Sequence, residues 1–348
     1  MTPKERVLLT LQHRPTDRAP ANYHAHGEVT DRLIARLGLR DVEELLCYLA
    51  IDFRRIGANY YQPNSEPDAE GYVRNMWGVY THPGKAQDDP AKHRFPFADD
   101  TTVDQVYAHP WPSADALDFS EVGAQCARYA DTYCVYGAPW SPFFHEVGWT
   151  IGQENFLIWM HTKPEVVAAI IDCMVSYEVA ATGRFLEACA GKLDLTYFGN
   201  DFGTQRGLFI SPEQWRQFIR QPLKRFYDIS HDYGCRVMQH SCGSVRDILP
   251  WLIEDGVDIL DPIQVRAAGM DLPGLVRDFG DRLSFHGGVD TQHTLPFGAP
   301  DDVRAEVRGY LDLTRARGGY ILTGSQDLIA DIPDENILAM YDENTVDQ

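Results

Sequence analysis

Apolar and polar positions along the chain alternate between two rhythms. Short apolar runs end in polar or glycine-rich tips, and each is followed by a segment with apolar residues at helical spacing. The first segment, Lys4 to Gln12, reads as a helix capped by Thr2 with Pro3 at its first position. Candidate strands begin at Ala21, Ile51, Tyr133, Leu193, Arg236, Val257, Leu283 and Tyr320. Helices are expected over Glu28 to Leu37, from Asp41 to Leu49, over Phe119 to Thr132, Gly152 to His161 and Pro164 to Cys189. In the second half they are expected over Ser211 to Tyr233, Ser244 to Glu254, Leu272 to Phe279, Pro300 to Arg317 and Pro333 to Met340.

Strand–helix alternation with tight turns calls for parallel strands joined by right-handed crossovers. Eight such units make an α/β protein of the (β/α)8 TIM-barrel class, whose working residues sit at the carboxyl ends of the strands. We expect a single domain over residues 1–348, with an N-terminal helical extension. The stretch Tyr60 to Asp100, rich in Pro, Gly, Asp and Asn but studded with aromatics, reads as a long insertion after the second strand, holding a small hairpin. An open doubly wound sheet is the other architecture. No Gly-x-Gly-x-x-Gly follows an early strand to support it.

Composition narrows the partners. With 51 acidic against 31 basic residues the net charge is −20. Such a chain has no general attraction for phosphate backbones, so nucleic acid is not expected. Seven cysteines, odd in number and sparsely spaced, suit a reducing compartment better than a disulfide framework. The first residues carry no signal-peptide core, and no apolar run approaches the roughly 18 residues of a membrane span, so no transmembrane helix is expected. The expectation is a cytoplasmic protein without membrane contact.

The sharpest chemical pattern is Cys235-Arg236-Val237-Met238-Gln239-His240-Ser241-Cys242-Gly243. Side chains alternate faces along a strand, so His240 and Cys242 point the same way. An imidazole and a thiol presented together at a strand tip form half of a zinc site. His24 and His26 repeat the spacing at the first strand. They are either polar residues where a strand meets a loop or contacts to a substrate. The segment Ala138 to Val147, carrying Trp140 and His145, reads as an aromatic loop. It suits either a wall for an organic substrate or packing onto the core. Other polar tips place Asp201, Gln205, Gln264, His286, Asp290, Gln326 and Asp327 at strand ends. A further metal ligand could come from His286, Asp201, Asp327 or Gln326, and Asp201 or Asp327 could steer a proton. Arg54 or Arg55, with Arg206, are the evident candidates for holding an anion.

The tips Asn200-Asp201-Phe202-Gly203-Thr204-Gln205, Ser211-Pro212-Glu213, His240-Ser241-Cys242-Gly243, Asp261-Pro262-Ile263-Gln264 and His286-Gly287-Gly288-Val289-Asp290 together resemble the uroporphyrinogen decarboxylase superfamily. The opening Thr2-Pro3-Lys4-Glu5-Arg6 and the closing Ile332-Pro333-Asp334-Glu335-Asn336 are similar to it as well. One branch of that superfamily is the cofactor-free decarboxylase, whose first-strand segment is arginine-rich. Here that segment has no arginine until Arg32. The other branch is the cobamide-dependent methyltransferases, which bind zinc through a His-x-Cys pair and a later Cys. His240 and Cys242 match the pair, and the last tip, Gly324-Ser325-Gln326-Asp327, lacks the later Cys.

The resemblance therefore implies a metal-assisted methyltransferase or demethylase. It would use zinc, work with a corrinoid protein, and act on a small methylated compound, with a methoxy compound in view because an oxygen ligand hardens the metal. On this reading Asp201, His240 and Asp327 are catalytic, and His240 and Cys242 hold the metal. His24, His26, Trp140, His145, Gln205, Gln264, His286, Asp290 and Gln326 would contact substrate. Relatives often pair, so a homodimer is an open expectation. The alternatives are a cofactor-free decarboxylase and a small-molecule-binding protein without turnover.

Overall fold

The computed structural model describes residues 1–89 and 91–345. It is an α/β fold built on a curled parallel sheet of seven strands. In chain order these are β1 (Phe53–Arg55), then, after an insertion carrying β2 (Val73–Arg74), β3 (Tyr80–Thr81) and β4 (His93–Arg94), β5 (Cys134–Tyr136), β6 (Leu195–Gly199), β7 (Arg236–His240), β8 (Ile259–Ile263), β9 (Ser284–Gly287) and β10 (Tyr320–Ile321). The sheet order β1-β5-β6-β7-β8-β9-β10 follows the chain, as parallel crossovers of one hand require. The insertion is a separate three-stranded antiparallel sheet, one strand more than the expected hairpin.

Eight strands were expected and seven form. The segment expected as the first strand makes only isolated parallel bridges, Ala21 to Leu322 and Ala25 to Leu328. Even so, Asn22 N donates to Leu322 O at 3.0 Å and Asp52 N to Ala21 O at 2.9 Å, so this segment lies between the last strand and the start of the first. Two features explain part of its irregularity. Pro20 has no N–H to give a ladder, and helix Gly27–Leu37 begins directly after His26.

Strand register aligns the tips. Gly199 pairs with His240, and His240 pairs with Asp261, so the ends of three adjacent strands lie level. Within β7, Gln239 turns to the helical layer, where Tyr227 Oη donates to it at 2.8 Å. His240 therefore turns to the other side, the interior.

Three expected elements differ. Residues 143–151 form a helix, Phe143–Ile151, rather than a loop, because Phe143, Val147 and Ile151 recur every fourth position and all are fully buried. The expected single helix from Ser211 splits into Pro212–Phe218 and Arg220–Asp232. Pro222 has no N–H for the carbonyl of Phe218 and its ring crowds that carbonyl, so the turn breaks there. The helix expected from Ser244 is a short 3-10 turn, Arg246–Ile248, followed by Leu249–Asp255.

The 26-residue helix Pro164–Cys189 corrects another expectation. By length and composition it is apolar enough to cross a bilayer, with a mean hydropathy of 1.5 over its most apolar window. A helix apolar on most sides is one that other helices surround. Here Ile170, Met174, Val175, Phe185 and Leu186 are buried in the core cluster.

Candidate functional site

The strand tips open into a cavity of about 420 Å³ lined by His24, His26, Arg55, Trp140, Tyr197, Asp201, His240, Cys242, Gln326, Asp327 and Ile329. On its floor Asp201, His240 and Cys242 converge, with one donor atom from each inside a 4.8 Å span. Cys242 Sγ lies 3.3 Å from His240 Nε2. Asp201 Oδ1 lies 3.2 Å from the same nitrogen and accepts a hydrogen bond from Cys242 N at 2.9 Å. Tetrahedral zinc with Zn–S near 2.3 Å and Zn–N near 2.0 Å separates neighbouring ligand atoms by about 3.3–3.6 Å. The separations of Cys242 Sγ and Asp201 Oδ1 from His240 Nε2 already stand near that spacing.

Local backbone explains how they reach it. Gly243 has φ of 79°, and a Cβ there would lie 2.5 Å from Gly203 C, so the turn after Cys242 passes directly against the turn after Asp201. At the end of β6 a Cβ on Gly199 would lie 2.0 Å from the Trp140 ring. That contact presses the indole toward His240, with ring centroids 5.1 Å apart.

Behind His240 sits Asp261, 2% exposed. Its Oδ2 is 2.8 Å from His240 Nδ1 and accepts from Tyr197 Oη at 2.6 Å, and its Oδ1 is 2.5 Å from His286 Nδ1. A carboxylate accepts only, so His240 Nδ1 carries the proton and Nε2 faces the cavity. Burial opposes a charged ring. The Asp201 and Asp261 carboxylates on its two sides outweigh burial and raise His240 well above its ordinary value. Burial likewise opposes charge on Asp201, and His240 overrides it to hold that carboxyl well below the usual range. Asp261 is also held well below, against burial, by His286 and His240. The carboxylates on both sides of His240 thus favour positive charge at this point, which a proton on Nε2 or a divalent cation would supply. Burial, then the nearby His286, pushes His24 down to about 3, so it is neutral near pH 7.

Of the residues singled out from sequence, His24, His26, Trp140, Asp201, His240, Cys242, Gln326 and Asp327 line this one cavity. Gln326 Nε2 lies 3.0 Å from Cys242 Sγ. His145 stands just outside, its Nε2 accepting from Asp201 N at 3.1 Å. Four others do not line the cavity. His286 is fully buried beneath it against Asp261 and Asn22. Asp290 is buried on Arg266 Nε at 2.6 Å and accepts from the amides of Gln292 and His293. Gln264 Oε1 accepts from Gly243 N at 2.9 Å, and Gln205 Nε2 lies 3.4 Å from that same oxygen. These side chains bond to neighbouring tips and loops outside the cavity.

Sequence reasoning passed over Asp261 and Tyr197. Asp261 lay within a motif already noticed, and its register opposite His240 was the missing signal. The three candidate arginines separate. Arg54 is buried on Glu43, with Nη2 to Oε1 at 2.7 Å, and Arg206 is exposed elsewhere; Arg55 lines the cavity.

A methylated-thiol–coenzyme M methyltransferase from Methanosarcina mazei is 28% identical over 167 residues, covering 47% of this chain and 41% of the relative. The chain therefore matches about two fifths of that relative's length. A solved structure described as a methyltransferase from Methanosarcina mazei superposes with a TM-score of 0.63 over 99% of this chain and 98% of its own, at 14% identity, which shows a shared fold. The profile of the uroporphyrinogen decarboxylase (URO-D) family matches residues 129–345. That stretch carries Asp201, His240, Cys242, Asp261 and Gln326, and the chain belongs to the uroporphyrinogen decarboxylase family.

Proposed function

We propose that this protein is a zinc-dependent methyltransferase that removes a methyl group from a small methylated compound and passes it to a corrinoid carried by a partner protein. The observation that carries the reading is the Asp201–His240–Cys242 set, three donors within 4.8 Å at the floor of an open cavity. Three protein ligands with a fourth position facing a cavity is the pattern of catalytic rather than structural zinc. The methyltransferase relatives support the reaction type. We also read the Ala21 bridges as the eighth stave of a closed barrel, reduced to single pairs.

When bound, zinc supplies Lewis acidity toward the oxygen or sulfur that bears the methyl group. The chain's own residues do the rest. Asp261 fixes the ring of His240 with Nε2 toward the cavity. Gln326, by its contact with Cys242 Sγ, holds the thiolate in place. Trp140 forms a flat apolar wall beside the donors, where the body of the substrate packs and water is displaced. Asp327, outside the donor set, steers a proton to the heteroatom left by the methyl group. One carboxylate, one imidazole and one thiolate make a harder centre than the two-thiolate set of the methyltransferase branch, and this favours methoxy over methylthio donors.

The test is metal content by mass spectrometry after chelation and refilling. We expect one zinc per chain in the native protein and far less in His240→Ala and Cys242→Ser. Equal zinc in all three would remove the site. Methyl transfer is then followed by the visible spectrum of a reduced corrinoid across a panel of methoxy and methylthio compounds, and no spectral change with any of them would end the proposal.

A further inference from the structure

We infer that the compound bound in the cavity carries an anionic head, a carboxylate or sulfonate, and that Arg55 is the residue that selects it. Strand alternation sends the two arginines of β1 to opposite sides. Arg54 goes outward, saturated by Glu43 and by the backbone carbonyls of Ile51 and Phe53, with its guanidinium 3.6 Å from the Tyr133 ring centroid. Arg55 goes inward. Its guanidinium carbon lies 5.5 Å from the ring centroid of Tyr197, which is itself 6.2 Å from that of His240.

Among the described residues Arg55 has no ion pair. Arg6, Arg18, Arg32, Arg54, Arg220 and Arg266 each rest on a carboxylate, and what sets Arg55 apart from the other arginines without an ion pair is that it lines the cavity of the candidate ligands. Asp327 lines the same cavity and forms no ion pair with it. Arg55 also lines a second cavity, of about 360 Å³, that shares His24 and Asp327 with the first. Arg55 therefore stands where the two spaces meet, with Tyr197 between its guanidinium and His240. A guanidinium is always charged and presents a planar fork of donors that suits two oxygens at once. His24 adds no positive charge near neutrality. Arg55 is then the one arginine or lysine among the described residues lining the cavity of the candidate ligands.

This geometry gives a two-point fit: an anionic head on Arg55, an aryl or alkyl body along Trp140, and a heteroatom near Asp201, His240 and Cys242. The assignment of that heteroatom as the methyl donor rests on the methyl-transfer reading. The charge preference does not.

Two pairs of probes test it by calorimetric titration of the zinc-loaded protein: 3-methoxybenzoate against 3-methoxybenzamide, and (methylthio)acetate against (methylthio)acetamide. In each pair only the charge of the head changes. We expect the native protein to prefer the anion at least tenfold in one pair or both. Arg55→Gln should bring that ratio close to one, and Arg55→Lys should restore part of it, with zinc content and circular dichroism of both variants matching the native protein. A ratio near one in both pairs, absence of binding by all four probes, or a preference that survives Arg55→Gln overturns the inference. Charge preference without methyl transfer would leave Arg55's role standing and sink the methyltransferase reading. Methyl transfer without charge preference would do the reverse.

Discussion

His240 has a different neighbour on each ring nitrogen, and each sets what the other can do. Nδ1 rests on Asp261, and Nε2 faces Asp201 and Cys242. Partners behind a metal-bound histidine fix its tautomer and orientation, and their loss costs about 10–100-fold in metal affinity. Asp261→Asn should therefore weaken zinc binding by about that factor, measured by competition with a chromophoric chelator, even though Asp261 lies outside the donor set. Gly199 makes a second prediction at this scale. A methyl group there would meet the Trp140 ring at 2.0 Å, so Gly199→Ala must displace the indole. Overpacking of this kind costs about 1–3 kcal/mol, to be read from the midpoint of urea unfolding. His240 and Cys242 were legible as a pair because the period of a strand is two. Asp201 was one of four candidates for a third ligand, and nothing local to it distinguished it from His286, Asp327 or Gln326.

Between elements, the pair Glu146 and Glu178 joins helix Phe143–Ile151 to helix Pro164–Cys189. The two are 3% and 4% exposed, and each has an oxygen without a partner among the described residues. Burial raises both, and the charge of Glu146 adds to the rise at Glu178. In the unfolded chain these carboxyls ionise near about 4.3. The native pair keeps protons to higher pH, so the native state binds more protons and stability falls as pH rises above that value. Glu178→Gln should raise the melting temperature at pH 8 and lose most of that advantage near pH 5, in a calorimetric pH series. The pair was hidden because the Phe143 helix was read as a loop. Trp140 and Pro142 lie close ahead of Phe143, and they masked the fourfold spacing of Phe143, Val147 and Ile151.

For the molecule as a whole, the base of the fold hangs on Asp52. Its carboxylate, fully buried, takes Arg6 at 2.5 Å from the N-terminal helix, Arg18 at 2.7 Å from the following loop, and the amide of Ala21 at 2.8 Å. Removing one member of a buried ion network leaves the others charged and unsolvated, at a cost of about 3–5 kcal/mol. Asp52→Ala should show that loss in denaturant unfolding. It should also loosen the Ala21 segment, seen as faster hydrogen exchange at Asn22, because the amide of Ala21 loses its acceptor and Asp52 anchors the loop before it. The alternation of strands and helices, the insertion after β1 and the level of the tips follow what the chain pattern predicted. The weak first strand does not, because eight apolar runs of similar look need not contribute equal lengths of ladder.

Short-range periodicity was enough to say that His240 and Cys242 share a face, that Thr2, Asp41 and Ser211 cap helices, and that polar tips follow parallel strands. Those features depend on residues two to four positions apart, and the chain states them directly. The choice of Asp201 over its rivals, the placing of Asp261 behind His240, the inward turn of Arg55 and the retreat of His286 and Asp290 into structural bonds were decided only in three dimensions. Each depends on the register between strands about 20 to 80 residues apart and on which side chains neighbouring tips leave room for, and no local spacing carries that information.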